Sequence, residues 1–280
     1  MSSSDIRANQ VVMITGAGAG LGEAMARRFH RAGAEIIACD VAEDRIQALA
    51  DSLGSRVMPL VMDVTSEADW AGAIQQSMER LGRVDVLINN AGVAAAGRLE
   101  DTSLEDWRWV MEIDLFGVML GCQAILPTFR QQGSGHIINV ASMAGLAGAP
   151  EINAYGTAKA GVIAMSEMLR AEVTSAGIEV SALCPAFVKT RLTETMRANH
   201  DGYEKRVKRW METSGVSADD VAEVVYQAVL KPKFLLLTHP QTKWLWRLKR
   251  WAPELYFKFL MRGIKKAQRR VKEAASSQVN

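Results

Sequence analysis

Residues Gln10 to Phe29 read QVVMITGAGAGLGEAMARRF, and this stretch decides the fold. Gln10 to Thr15 is a short apolar run of strand length. Gly16, Gly18, Gly20 and Gly22 follow, and Leu21, Ala24, Met25 and Phe29 then recur at helical spacing. Strand, glycine turn and helix, in that order, form a cradle for a pyrophosphate. The glycines let the backbone come close, and the helix start offers free N–H groups and a positive dipole end. A second apolar run, Glu35 to Cys39, ends at Asp40, about 20 residues beyond the glycines, where an acid for an adenosine ribose belongs. A carboxylate there accepts hydrogen bonds from ribose hydroxyls and repels a 2′-phosphate, so Asp40 favours NAD, with NADP the weaker fit. A strand-end Asp capping the next helix is the alternative for Asp40 taken alone.

Outward from this unit the alternation continues. Val57 to Met62 is the third expected strand, and Ser66 caps a helix to Leu81. Val84 to Ile88 is the fourth. A long helical stretch from about Ser103 to Gln131 contains Gly117 and Pro127, which are expected to bend or interrupt it. Ile137 to Val140, Ile178 to Cys184 and Phe234 to Leu237 complete about seven strands. Strands without polar alternation, each followed by an amphipathic helix, predict a doubly wound, Rossmann-type parallel sheet covered on both faces. Ligands bind such sheets at the carboxyl ends of the strands, where the glycines, Asp40, Asp63, Asn90, Ser142 and Pro185 all fall.

The stretch Ile137 to Lys159, IINVASMAGLAGAPEINAYGTAK, carries the chemistry. Tyr155 and Lys159 stand four apart, one turn from each other on a helix face. An ammonium beside a phenol favours the phenolate, and the Ser142 hydroxyl is placed to polarise a carbonyl between them. The trio suits acid/base work on a C–OH or C=O bond, given a hydride carrier nearby.

Composition sets the frame. A chain of 280 residues with 49% hydrophobic and 23% charged content is that of an ordinary globular protein with a full core. Cys39, Cys122 and Cys184 are scattered, which argues against disulfides and against zinc, so no metal is expected and a cytoplasmic setting is. No secretory signal or membrane-spanning run is read from the sequence. The net charge of +2 hides an asymmetry: from Gln241 onward eleven Lys or Arg face only Glu254 and Glu273, leaving residues 1–240 acidic.

Taken together, Thr15-Gly16-Ala17-Gly18-Ala19-Gly20-Leu21-Gly22, Asp63-Val64, Asn89-Asn90-Ala91-Gly92, Ser142 and Tyr155-Gly156-Thr157-Ala158-Lys159 resemble the short-chain dehydrogenase/reductase family, from about Val11 to Thr238. The resemblance implies an NAD(P)-dependent oxidoreductase interconverting a secondary alcohol and a ketone. It implies that Tyr155 is the general acid/base, that Lys159 tunes Tyr155 and holds the nicotinamide ribose, and that Ser142 orients the substrate oxygen. By the same likeness Asp63 meets the adenine, Val64 covers it, Asn90 and Gly92 line the cofactor path, and Val188 and Thr190 touch the nicotinamide carboxamide. Leu21 belongs to the same cofactor-binding turn. Two positions depart from the family pattern. Asp114 stands where the family usually has an Asn that helps seat a water joining the lysine to solvent, partly through its backbone carbonyl. Asp keeps that carbonyl and the size but loses the amide donor, which implies a working relay with altered pH dependence. Ala186 follows Pro185 where Gly is usual, so that loop must suit a Cβ.

Two loops are expected to border the substrate: Met143 to Asn153, largely apolar, and a lid-like segment of about 187–215 whose inner face holds Met196, Tyr203, Val207, Trp210 and Met211. A hydrophobic alcohol or ketone follows. Domain organisation is expected as a catalytic domain over 1–240 and a helical, basic, aromatic-rich extension over 241–280, split by Pro253 into two helices. In residues 241–272 basic side chains alternate with Trp and Phe. That pattern suits peripheral contact with an anionic membrane, or equally a cap on the chain's own pocket or on a neighbouring subunit. Nucleic acid is a weaker partner, since only the tail is basic. The family implies a homodimer or homotetramer. The rival functions are a dinucleotide-binding sensor or scaffold without turnover, and a membrane-recruited interaction protein using the tail.

Overall fold

A computed structural model describes residues 10–189, 196–198 and 203–276. In chain order the strands are β1 (Val11–Thr15), β2 (Glu35–Asp40), β3 (Val57–Val61), β4 (Val86–Asn89), β5 (Ala95–Ala96), β6 (Gly135–Val140), β7 (Ile178–Cys184), β8 (Arg197–Ala198) and β9 (Leu235–Leu237). The helices are α1 (Gly20–Arg31), α2 (Glu43–Leu53), α3 (Glu67–Leu81), α4 (Leu104–Met111), α5 (Gly117–Gln132), α6 (Met143–Ala147), α7 (Asn153–Val173), α8 (Tyr203–Glu212), α9 (Ala218–Leu230), α10 (Pro240–Trp251) and α11 (Pro253–Ser276). Seven strands form one parallel sheet in the order β3-β2-β1-β4-β6-β7-β9, and β5 pairs with β8 beside it.

The order reverses at β1, the first strand, which pairs with β2 on one side and β4 on the other. The central strands β1, β4 and β6 are buried on both faces because each face meets helices. Val12 and Ile14 of β1, with Ile36 and Ala38 of β2 and Ile138 and Val140 of β6, join one core with residues of α1, α2 and α9. Their sequence neighbours Val11, Met13, Ile37, Cys39 and Ile137 join a second core, with α3, α5 and α7. The lack of polar alternation in the sequence is therefore a period-two division between two buried layers.

The expected long helix is interrupted, though not by glycine or proline alone. Glu112–Phe116 forms a π-helical turn between α4 and α5, and the helix resumes at Gly117. Pro127 sits within α5 without breaking it. Pro127 and Gln123, whose carbonyl loses its donor, are both exposed to solvent. Leu104–Gln132 is long and apolar enough to cross a bilayer by length and composition. Here Val118, Cys122, Ile125 and Phe129 bury one side of it in the second core.

The chain divides into two compact units, 1–238 and 239–280. The second holds α10 and α11 packed on each other, with Trp244 edge-on to Phe259 at a centroid distance of 5.7 Å.

Candidate active site

The carboxyl end of β1 runs straight into the glycine turn, and the end of β4 fastens it. Thr15 is buried, and its Oγ1 accepts the Asn90 and Ala91 N–H groups at 2.9 and 3.0 Å. The Asn90 amide donates to the carbonyls of Thr15 (2.8 Å) and Gly16 (3.2 Å). Gly22, near the start of α1, lies so close that a Cβ would fall 2.0 Å from the Gly16 carbonyl oxygen. Gly20 opens α1 with Leu21 behind it, and Leu21 packs against the first core. The N-cap of α1 is Ala19, so no side chain occupies the first-turn N–H groups.

Asp40, at the end of β2, uses both carboxylate oxygens on neighbouring backbone N–H groups, and α2 itself carries no side-chain cap. Its Oδ2 accepts the Gly18 N–H at 3.0 Å and its Oδ1 the Ala42 N–H at 3.0 Å. The carboxylate thus joins the glycine turn to the approach of α2. A glycine turn with no room for a Cβ at Gly22, an uncapped helix start and a strand-end carboxylate beside it fit a dinucleotide.

Asp63 follows β3, exposed, with Oδ1 accepting from the Thr65 backbone N–H (2.9 Å) and hydroxyl (2.8 Å). Val64 is buried; its carbonyl accepts the Trp70 indole N–H at 3.0 Å, and its side chain leaves no room for a Cβ at Gly117. Val188 is buried in the first core. Thr190 lies outside the described residues.

The acid/base residues gather where β6, β7 and α7 meet. Ser142 is the N-cap of α6, and its Oγ accepts the Ala144 N–H at 3.1 Å, which leaves the hydroxyl proton for another partner. The Met143 N–H donates to the Pro185 carbonyl at 2.8 Å and ties this turn to the end of β7. Gly145 lets α6 lie directly on α7: a Cβ there would stand 2.6 Å from the Ala160 nitrogen and 2.7 Å from the Lys159 carbonyl carbon. Lys159 is buried. Its Nζ donates to the Val140 carbonyl at 3.0 Å, lies 3.2 Å from Asp114 Oδ2 and sits 5.8 Å from the Tyr155 ring centroid. Asp114 comes from the π-helical turn and is fully buried; its Oδ1 accepts the Val93 N–H at 2.7 Å. Gly92 covers the pair, its Cβ position 3.2 Å from Asp114 Oδ1 and 3.3 Å from Lys159 Nζ.

Burial pushes the Tyr155 phenol above the ordinary tyrosine range. The Lys159 ammonium draws it back, the Asp114 carboxylate raises it again, and a hydrogen bond with Ser142 lowers it. The expectation that Lys159 favours the phenolate thus holds as a contribution, but burial outweighs it. Burial also raises Asp114, against the pull of Lys159 and of the Val93 N–H. The Cys184 thiol is pushed up to about 12 by burial, and it is one of three buried free cysteines.

In the segments expected to border the substrate, Val207 and Met211 of α8 are buried with Ala96, and Ile152 and Met196 pack against them. Trp210 does not join that face: it is exposed beside Phe187 at a ring-centroid distance of 5.1 Å. The side chain of Tyr203 lies outside the described residues. Backbone groups at the site were invisible in the sequence, namely the Val140 carbonyl and the Val93 N–H. Thr15 and Gly145 carried a signal only as members of a motif and of a small-residue loop.

Comparison with known proteins places this geometry among relatives. The family described as short chain dehydrogenase matches residues 10–201. The CLA biosynthesis dehydrogenase/reductase of Lactiplantibacillus plantarum is 31% identical over 256 residues, covering 83% of this chain and 89% of its own. Dehydrogenase/reductase SDR family member 7B of Danio rerio is 36% identical over 234 residues, covering 80% and 75%. A short chain dehydrogenase/reductase from Burkholderia phymatum, solved in complex with NAD, superposes with a TM-score of 0.83 at 31% identity, over 91% of this chain and 96% of its own.

Proposed function

The chain belongs to the short-chain dehydrogenase/reductase family and is an NAD(P)-dependent oxidoreductase acting on CH–OH groups; from that premise we propose that it interconverts a hydrophobic secondary alcohol and its ketone, with NAD(H) preferred. The reading is carried by one observation: a buried lysine, hydrogen-bonded to the end of β6, stands one helical turn from Tyr155 and within the same cluster as Ser142.

Bound NAD(H) supplies the hydride acceptor or donor. The α1 start and the glycine turn would hold the pyrophosphate, and Asp40 the adenosine ribose hydroxyls. Asp63 and Val64 would border the adenine, and Asn90 and Gly92 the path between. Lys159 would reach the nicotinamide ribose, and Val188 and Thr190 the carboxamide. Preference for NAD rests on Asp40, whose charge repels a 2′-phosphate.

Ser142 donates its hydroxyl proton to the substrate oxygen and fixes that oxygen against Tyr155. In oxidation the alcohol oxygen gives its proton to the Tyr155 phenolate as the carbinol carbon gives up a hydride. In reduction the Tyr155 phenol protonates the carbonyl oxygen as the carbon gains one. Lys159 supports the phenolate in either direction. Ile152, Met196, Val207 and Met211 supply apolar surface on the substrate side and favour an apolar substituent. A panel of secondary alcohols with NAD and NADP, read at the nicotinamide absorbance with Tyr155→Phe as control, tests the proposal. Activity confined to small charged polyols would overturn the substrate class.

A second reading concerns the 239–280 unit. Trp244, Trp251, Leu255, Phe257 and Phe259 are all exposed there, and Trp251 is 84% exposed. Lys243, Arg247, Arg250, Lys258, Arg262 and Lys265 are exposed among them. Aromatic and basic side chains on one helical pair suit the interface of an anionic bilayer. We propose peripheral membrane contact by this unit, on a cytoplasmic homodimer or homotetramer. Co-sedimentation with phosphatidylserine vesicles should fall in full-length protein carrying Trp244→Ser, Trp251→Ser and Phe259→Ser. Equal binding by both forms would discard the idea.

A further inference from the structure

The buried carboxylate of Asp114 shares its surroundings with the groups that move the proton. From its own side it is held by the Val93 N–H at 2.7 Å, and its second oxygen faces Lys159 Nζ at 3.2 Å. Among the described residues, the titratable groups around it are Lys159 and Tyr155 from α7 and, beyond Lys159, Cys184 from β7. The Val140 carbonyl completes the lysine's contacts, and Gly92 closes the site above. Carboxylate, ammonium and phenol therefore act on one another in a region with little water to screen them.

An ammonium stabilises a neighbouring phenolate by its positive charge. A carboxylate 3.2 Å from that ammonium cancels much of the field at the phenol. We propose that Asp114 is a positioning residue that neutralises Lys159, so that Tyr155 keeps its proton to higher pH and the site favours proton donation, hence carbonyl reduction, near neutrality. The inference rests on Tyr155 being the acid/base of the proposed reaction. Its consequence is directional. Alcohol oxidation needs the phenolate and should have its acid limb displaced toward alkaline pH; reduction needs the phenol and should persist to higher pH. The carboxylate that raises Tyr155 is the same one that burial pushes toward its protonated form, so the effect grows as Asp114 ionises.

Asp114→Asn isolates the charge. The amide oxygen still accepts the Val93 N–H, while the negative charge beside Lys159 disappears. Tyr155 ionisation is read without turnover by tyrosinate absorbance of the full-length protein, as the difference from the matching Tyr155→Phe form. The expected result is a fall of about one pH unit in Tyr155 ionisation on Asp114→Asn, with the acid limb of alcohol oxidation moving the same way. Asp114→Ser, neutral and smaller, should move both in the same direction and guards against a folding defect in one variant. An unmoved or upward-moving Tyr155 titration in the folded variants overturns the role of Asp114. Absence of nicotinamide-linked turnover in the unsubstituted protein would instead overturn the proposed reaction, and the two failures are read separately.

Discussion

Asp40 holds the Gly18 backbone N–H at 3.0 Å through Oδ2, across 22 residues of sequence, so the acid proposed to meet the ribose also shapes the glycine turn. Removing it has two separable effects. Asp40→Ala should weaken NAD by about 10- to 100-fold in kcat/KM, the range expected for losing a charged hydrogen-bonding group. NADP should lose less, because the repulsion of its 2′-phosphate goes too. The ratio of kcat/KM for the two cofactors checks this; a ratio unchanged from that of the natural protein would mean that Asp40 only builds the turn.

Gly22 tests the cradle itself. A Cβ 2.0 Å from the Gly16 carbonyl oxygen and 2.7 Å from the Asn90 amide has no place to go without parting α1 from the turn. Gly22→Ala is expected to destabilise the protein by about 1–3 kcal/mol and to abolish measurable cofactor affinity. Chemical denaturation and titration of bound NADH fluorescence read the two effects. Normal affinity in a folded Gly22→Ala protein would place the pyrophosphate elsewhere.

The sheet and its turn chemistry were legible because their causes are local. Apolar runs of strand length, glycines after the first strand and an acid after the second follow from short-range geometry. Ile178 to Cys184 is both the expected and the observed strand. The π-helical turn at Glu112–Phe116 was not legible, since its residues have ordinary helical composition and only packing shows the extra residue. It swings Asp114 into contact with Lys159. The direction in which Tyr155 is shifted was hidden for a related reason: spacing reveals the ammonium one turn away, whereas burial and the opposing carboxylate come from distant elements. Trp210 was misjudged because helical periodicity names a face but not what covers it.

Gly145 separates positioning from binding. It sits in α6, just after Ser142, and allows the helix to touch the α7 backbone at Lys159 and Ala160. A methyl group there must lift α6, and Ser142 with it, away from Tyr155. Gly145→Ala should lower kcat by about 10- to 100-fold, as misplacement of a reacting group by about 1 Å does, with NADH affinity little changed. Steady-state kinetics beside NADH binding would show the split. An equal loss of both would mean that α6 supports the cofactor rather than the substrate oxygen.

His136 links the sheet to acid stability. It is buried in β6, and its Nε2 lies 2.8 Å from Ser181 Oγ. The Ser181 hydroxyl donates its own proton to the Lys233 carbonyl at 2.7 Å, so the imidazole Nε2–H is the donor to Ser181. Burial lowers its pKa to about 4, from about 6.5 in an unfolded chain. Between those values the unfolded chain binds a proton that the folded one refuses. Stability is therefore intact above pH 6.5 and falls as the pH drops toward 4, by about 3 kcal/mol from this group. Replacing the ring by His136→Gln keeps an N–H donor for Ser181 and removes the titration. Denaturant unfolding at pH 7 and pH 4.5 should then show a smaller acid loss in the variant, by about 2–3 kcal/mol. Equal losses would mean that His136 is protonated in the folded protein, with its charge met by groups other than Ser181.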